Sequence, residues 1–197
     1  MTFQSSRPRG LYFEEFEIGQ RFVSTGRTIT ESDIVTFAGL SGDNNQIHID
    51  AEFSKTTPFG QRVAHGLLVT SIASGLIALS GLIEGTVLAF REINNWKFTK
   101  PVFIGDTVHV ETEVAATKAI RRLGGGAVTI ILDVINQHGE TVMKGKWTIL
   151  IVSECEGATH FQSALHLVSR ANQRVSKPIY QYTNLPIYQY TNQPIYP

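Results

Sequence analysis

The segment Ser41-Gly42-Asp43-Asn44-Asn45-Gln46-Ile47-His48 sets a carboxylate, several amides and an imidazole within eight residues. Asp43 and His48 stand five positions apart, which on a continuous helix would turn them to different faces. In a curled loop both can face one water molecule, and Gly42 supplies the backbone freedom for such a curl. Two acid/base groups sharing a water are what hydration of an activated double bond needs. One group takes a proton from the water as its oxygen attacks carbon, and the same shell returns a proton to the adjacent carbon.

The same string is also ordinary turn chemistry, in which Asp and Asn bond to their own backbone, and the residues alone leave both readings open. Other chemistries fit less well. As a calcium loop the pattern would start at Asp43 and Asn45, but Ile47, His48 and Ser54 then occupy positions that need an oxygen ligand, a glycine and a glutamate. For zinc, His48 and His65 lack the spacing of a helical pair and no thiolate lies near them. No GxxxxGK loop, no GxGxxG after a strand and no GxSxG element is present, which speaks against nucleotide hydrolysis, nicotinamide chemistry and serine hydrolysis. No metal and no cofactor is expected.

The elements that must position these groups can be read on either side of them. Arg21 to Ile29 reads as a strand, with turn residues at Gly19 and Gly26. Thr30 then offers a hydroxyl cap with Asp33 three residues on, so a short helix is expected over Glu31 to Gly39. Ile34, Phe37 and Ala38 fall at helical spacing within it. Leu40 to Asp50 reads as a polar loop, and a second short helix begins near Asp50 and carries Ala51, Phe53 and Ser54. After Arg62-Val63-Ala64-His65-Gly66 comes the apolar run LLVTSIASGLIAL, a long helix ending near Gly81. Ser71, Ala73, Ser74, Gly75 and Ala78 along it would allow a sheet to approach closely.

Beyond this helix the period changes from helical to alternating. Thr86 to Asn94, Trp96 to Lys100, Thr107 to Ala116, Ala127 to Asn136 and Thr141 to Val152 read as strands, the last two as a hairpin around Gln137-His138-Gly139-Glu140. One central helix followed by an antiparallel meander implies an α+β architecture in which the sheet covers the helix.

Composition sets the limits. The chain has 197 residues, 42% hydrophobic and 17% charged, with 17 basic against 17 acidic side chains. That profile suits one folded domain with an appendage. The charge balance argues against nucleic acid binding by bulk charge. Cys155, the single cysteine, permits no internal disulfide. Met1 to Gly10 lacks the apolar run of a signal peptide, and Gly66 to Ile83 is interrupted by hydroxyl residues and glycines, so no membrane association and a cytoplasmic location are expected. From Pro178 the chain repeats PIYQYTNL, PIYQYTNQ, PIYP. Residues 11–152 are read as the folded domain, and 153–197 as a tail, disordered beyond about Ala171 and dispensable to the chemistry.

Phe37, then Leu40-Ser41-Gly42-Asp43-x-Asn45-x-Ile47-His48, then Ser54 resembles the signature of the MaoC-like and (R)-specific enoyl-CoA hydratase family. Gln46 stands where the family usually has proline. Three further blocks match in collinear order: Val63-Ala64-His65-Gly66-Leu67-Leu68 with Ser71 and Ser74-Gly75-Leu76, Phe98 to Val108, and Asn136 to Glu140. The resemblance covers Leu11 to Val152. It implies a hot-dog fold, an antiparallel sheet wrapped around a long central helix, with a short helical overhang segment carrying the site. It implies reversible addition of water to a trans-2-enoyl-CoA, giving an (R)-3-hydroxyacyl-CoA, with coenzyme A as part of the substrate.

Carried over by residue, the resemblance implies Asp43 and His48 as the acid/base pair and Asn45 as orienting His48 or the thioester. Gly66 would stand at the start of the central helix, where backbone N–H groups can stabilise an enolate oxygen. Ser71 matches a family serine lining the site, although a helical hydroxyl also bonds the carbonyl one turn back. His65 is given a structural role at the helix start, and His109, His138, His160 and His166 are read as surface residues. Arg91, Lys97, Lys100, Arg121 and Arg122 are candidates along the path of the phosphates, and Phe53, Phe59, Leu76 or Leu82 for the end of the acyl pocket. A homodimer, or a dimer of dimers, is implied by the family. A hot-dog thioesterase and a non-catalytic acyl-CoA-binding module are the alternatives. The first would place a carboxylate on or beside the central helix, and Leu67 to Leu79 contains none.

Overall fold

The computed structural model describes residues 9–154 of the chain. The expected disorder of the tail therefore lies outside the described residues. Two short strands, β1 (Arg21–Val23) and β2 (Arg27–Thr28), lead into helix α1 (Glu31–Ser41). Two helical turns follow, α2 (Gln46–Ile49) and α3 (Ala51–Lys55), and then the long helix α4 (Gly66–Leu79). Four long strands complete the fold: β3 (Val87–Phe98), β4 (Thr107–Ile120), β5 (Gly125–Asn136) and β6 (Thr141–Val152). All pairings are antiparallel, in the order β1-β4-β5-β6-β3, with β2 also beside β4. Among the described residues no helix is long and apolar enough to cross a membrane.

The sheet wraps α4, as the hot-dog arrangement requires. Leu68, Val69, Ile72, Ala73, Leu76 and Ile77 form one buried face of the helix. Alternate residues of three strands meet it: Val108, Val110 and Val114 of β4, Val128, Ile130, Leu132 and Val134 of β5, and Trp147, Ile149 and Ile151 of β6. Each such side chain contributes about 1.5–3 kcal/mol by leaving water, so this contact fixes where the start of α4 lies. The small residues behave differently from expectation. Only Ala73 faces the sheet, whereas Ser71, Ser74, Gly75 and Ala78 are exposed on the opposite side.

Several boundaries move for local reasons. The strand expected over Arg21 to Ile29 is split at Thr25 and Gly26, although Ser24 and Ile29 still donate backbone bonds to the β4 side at Val110 and Asp106. The two segments expected at Thr86 to Asn94 and Trp96 to Lys100 are one strand, irregular between Asn94 and Lys97, where Asn95 has φ of 53°. Strand β4 runs on to Ile120 because a bulge between Val114 and Ala116 resets the alternation. Arg121 to Leu123 forms a 3-10 turn, and β5 starts at Gly125, two residues before the expected Ala127.

The start of α1 is built as its residues suggest. Thr30 Oγ1 accepts from Asp33 N at 3.2 Å, and Asp33 Oδ2 accepts from Thr30 N at 2.9 Å. Burial pushes the Asp33 carboxyl up, but the bonds from Thr30 and the adjacent Arg27 together hold it below its ordinary value. A carboxyl with a lowered folded pKa contributes stability that is present above its unfolded pKa and lost as pH falls through the folded one. Thr30→Ala is therefore expected to cost about 1 kcal/mol at neutral pH. The gap to wild type should narrow when urea midpoints are compared near pH 3, below the ordinary Asp value of about 3.9.

Candidate functional site

Helix α1 ends at Gly42, whose φ of 77° lets its N–H close on Ala38 and turns the chain sharply. Ser41 Oγ donates to Phe37 O at 2.6 Å and accepts from Asp43 N at 3.2 Å. Asp43 Oδ1 accepts from Asn45 N at 3.3 Å, and Asn45 Oδ1 accepts from Ile47 N at 3.3 Å, capping α2. The stretch expected as a polar loop is therefore tighter than a loop. Helix α1 runs through Ser41, and His48 rides on the helical turn α2, which Asn45 starts. The buried Ser54 supports that turn, its hydroxyl lying 3.2 Å from Ile47 O. The turn bonds thus shape the loop that carries Asp43 and His48, so turn chemistry does not exclude a reactive pair there.

His48 is 8% exposed and its Nδ1 lies 2.7 Å from Val63 O. A carbonyl can only accept, so Nδ1 carries the hydrogen and the neutral ring keeps its lone pair at Nε2. His65 precedes α4 and is 2% exposed, with Nε2 at 2.9 Å from the backbone carbonyl of Asp43. By the same reasoning its lone pair is at Nδ1, which is buried without a hydrogen-bond partner. The two imidazoles stack, with centroids 3.8 Å apart and planes 28° apart, and Phe37 closes on His65 at 5.1 Å.

One ligand atom each from Asp43, His48 and His65 lies within 4.8 Å of the others. The stacking bears on what this cluster can hold. Rings that face each other direct their in-plane lone pairs along separate planes, which do not meet at a single ion as ligands of zinc must. The arrangement suits proton transfer better than metal ligation.

Asp43, His48, His65 and Gly66 border a cavity of about 680 Å³ whose remaining wall is mainly apolar, with Phe37, Phe59, Leu67, Phe98 and Met143. Gly66 is the first residue of α4, at the end where backbone N–H groups lack helical partners. A Cβ there would meet the Phe98 ring at 2.6 Å, so the glycine lets an aromatic wall lie directly on the helix start.

The remaining expected residues fall elsewhere. Asn45 is exposed and reaches His48 only through the turn it caps. Ser71 is exposed, bonds Leu67 O at 2.8 Å, and borders a separate groove with Arg27, Asp33 and Gly75. Phe59 borders the cavity, whereas Phe53 does not, and Leu76 and Leu82 are buried in the core. Of the basic candidates, Lys100 borders the cavity. It pairs with Glu140, and the Lys100 and Asn136 hydrogen bonds hold the Glu140 carboxyl below its ordinary value. Arg121 and Arg122 lie on the exposed turn between β4 and β5. His65 is the member of the cluster to which the sequence assigned only a place at the helix start. Its one local sign was a histidine set between an apolar segment and a glycine.

A model of the MaoC-like domain matches residues 14–135 of this chain. A 3-hydroxybutyryl-CoA dehydratase of Methylorubrum extorquens is 37% identical over 137 residues, 69% of this chain and 85% of the relative. An (R)-specific enoyl-CoA hydratase of Rhodospirillum rubrum is 32% identical over 140 residues, 71% of this chain and 91% of the relative. Among solved structures, the R-hydratase PhaJ1 of Pseudomonas aeruginosa superposes with a TM-score of 0.63 at 34% identity, covering 74% of this chain and 88% of that one.

Proposed function

The chain belongs to the MaoC-like domain family, and on that premise we propose that it is a hydro-lyase that reversibly adds water to a trans-2-enoyl-CoA, giving an (R)-3-hydroxyacyl-CoA. The observation that carries this is the pairing of Asp43 and His48, held on separate turns, at the polar end of an apolar cavity. A water between the Asp43 carboxylate and His48 Nε2 loses one proton to this pair as its oxygen bonds to C3. The electrons of the C2–C3 double bond move towards the thioester carbonyl. The developing enolate oxygen is placed at the first N–H groups of α4 around Gly66, where the helix dipole favours negative charge. Collapse of the enolate takes a proton at C2 from the same pair. One H and one OH are added, and the protein returns to its starting protonation. Coenzyme A is part of the substrate, and the step needs no further cofactor.

The thioesterase alternative is weaker, because α4 carries no carboxylate that could attack or activate water beside it. We further propose a homodimer. Leu67 and Leu79 on α4 and Phe90, Ile93 and Phe98 on β3 are large apolar side chains left 42–73% exposed, more than single scattered residues need. Sedimentation is expected to give twice the chain mass, and a monomer would contradict this.

Following the loss of conjugated enoyl-thioester absorbance with short-chain 2-enoyl-CoA tests the activity. A product oxidised by an (R)-specific but not an (S)-specific 3-hydroxyacyl-CoA dehydrogenase is expected. Binding of short, medium and branched enoyl-CoA without turnover would replace the enzyme by a binding module.

A further inference from the structure

The hydration step uses no proton of His65, yet His65 touches both groups that carry the step. Its Nε2–H bonds the backbone carbonyl of Asp43 at 2.9 Å, and its ring covers that of His48 at 3.8 Å. Phe37 packs against its ring at 5.1 Å, and His65 is 2% exposed. Two residues earlier, Val63 O accepts from His48 Nδ1–H and Val63 N donates to Ile47 O at 3.1 Å. The segment from Val63 to His65 therefore contacts Asp43 and the α2 turn together. The bonds that Asp43 makes with Ser41 and Asn45 span two residues each. They shape the loop from within, through Asn45, which in turn bonds the α2 turn. The bond from His65, reaching 22 residues back, ties that loop to the start of α4 beside His48.

We propose that His65 is a positioning residue for the hydration step, setting the separation of the Asp43 carboxylate and His48 Nε2 through its Nε2–H bond to Asp43 and through the stacked ring. The inference rests on the hydratase reading and adds a residue to it. A starting helix alone needs neither contact, since α4 gains no side-chain cap bond from His65. Displacing a reacting group by about 1 Å can cost on the order of 100-fold in rate, so a donor that fixes Asp43 acts on turnover more than on substrate affinity.

Two substitutions of similar polarity separate this role from simple packing. The amide nitrogen of Gln can occupy the place of Nε2 and bond Asp43 O, whereas that of Asn reaches only the place of Nδ1. His65→Asn is expected to lower kcat by about 30-fold or more with KM for a short enoyl-CoA changed by about twofold at most. His65→Gln is expected to keep kcat within about tenfold of wild type. Equal losses in both variants, or losses in KM alone, would overturn the proposal and leave His65 a packing residue. Amide NMR of the same proteins reads the contact without activity. The Asp43 and Asn44 signals should shift in His65→Asn and return towards wild type in His65→Gln. Should wild type itself fail to hydrate enoyl-CoA, the hydratase reading falls, and these shifts still decide whether His65 holds Asp43. Unshifted signals in His65→Asn would show that it does not.

Discussion

Replacing Asp43 by Asn is expected to slow enoyl-CoA hydration by about two orders of magnitude or more, the effect of losing a positioned acid/base group. Asn preserves the shape of the site. Its Oδ1 can still accept from Asn45 N, the bond that Asp43 makes at 3.3 Å. The backbone carbonyl that receives His65 is untouched. Asp43 is exposed, so its charge is not compensated by a buried partner whose loss would unfold the chain. Surface changes of this kind usually stay within about 0.5 kcal/mol. The thermal midpoint should accordingly move by about 2 °C or less. A fall in kcat with KM unchanged means the carboxylate acts in the transition state. A variant as fast as wild type would remove Asp43 from the chemistry and leave His48 to act alone.

Gly125→Ala is expected to damage the fold severely, although it adds a single methyl group. Gly125 starts β5, paired with Val152 of β6. A Cβ on it would lie 2.0 Å from Ile151 O and 2.9 Å from the Val152 Cα. Those are backbone atoms and cannot rotate away, so the strands must part where β5 meets β6. Overpacking a buried site typically costs about 1–3 kcal/mol, and a forced backbone shift places this change at or above the upper end. A fall in thermal midpoint of about 10 °C or more follows. Gly39→Ala is the control of opposite sign. Gly39 is within α1, its added Cβ would meet nothing within 4 Å, and its φ is not positive. Ala there should stabilise the helix by about 0.5–1 kcal/mol. Equal midpoints for the two variants would contradict the close approach of β5 and β6.

Much of the scaffold was legible because its signals are local. The Thr30 and Asp33 box, the Asp50 cap of α3 and the Thr141–Val152 strand depend on neighbours within a few positions, and each formed where those residues stand. Features that depend on distant partners were not legible. The bulge near Ala116 and the irregularity at Asn95 are set by the register of neighbouring strands, which no local pattern records. Helix α2 is only four residues long, and the Asn45 that caps it looks like turn chemistry in the sequence. The exposed row of Ser71, Ser74 and Gly75 could have faced either side of α4 until the larger apolar residues chose the sheet.

The site divides in the same way. Asp43 and His48 were singled out from one short string and a family resemblance, and both border one cavity. His65 joins them from 22 residues away. Its two contacts arise only when the start of α4 is pressed against α1 and α2 by the sheet. A histidine before a glycine carries no mark of that in its neighbours.

In the proposed mechanism Asp43 and His48 handle one water and one proton from the same wall of the cavity. The most direct test is to incubate wild-type protein with trans-2-butenoyl-CoA in D2O and read the product by proton NMR. Turnover is expected, with one deuterium at C2 and a C2–C3 coupling that places OH and D on the same face of the former double bond. Addition from opposite faces, or no product at all under conditions where the thioester binds, would contradict the shared pair as the source of both.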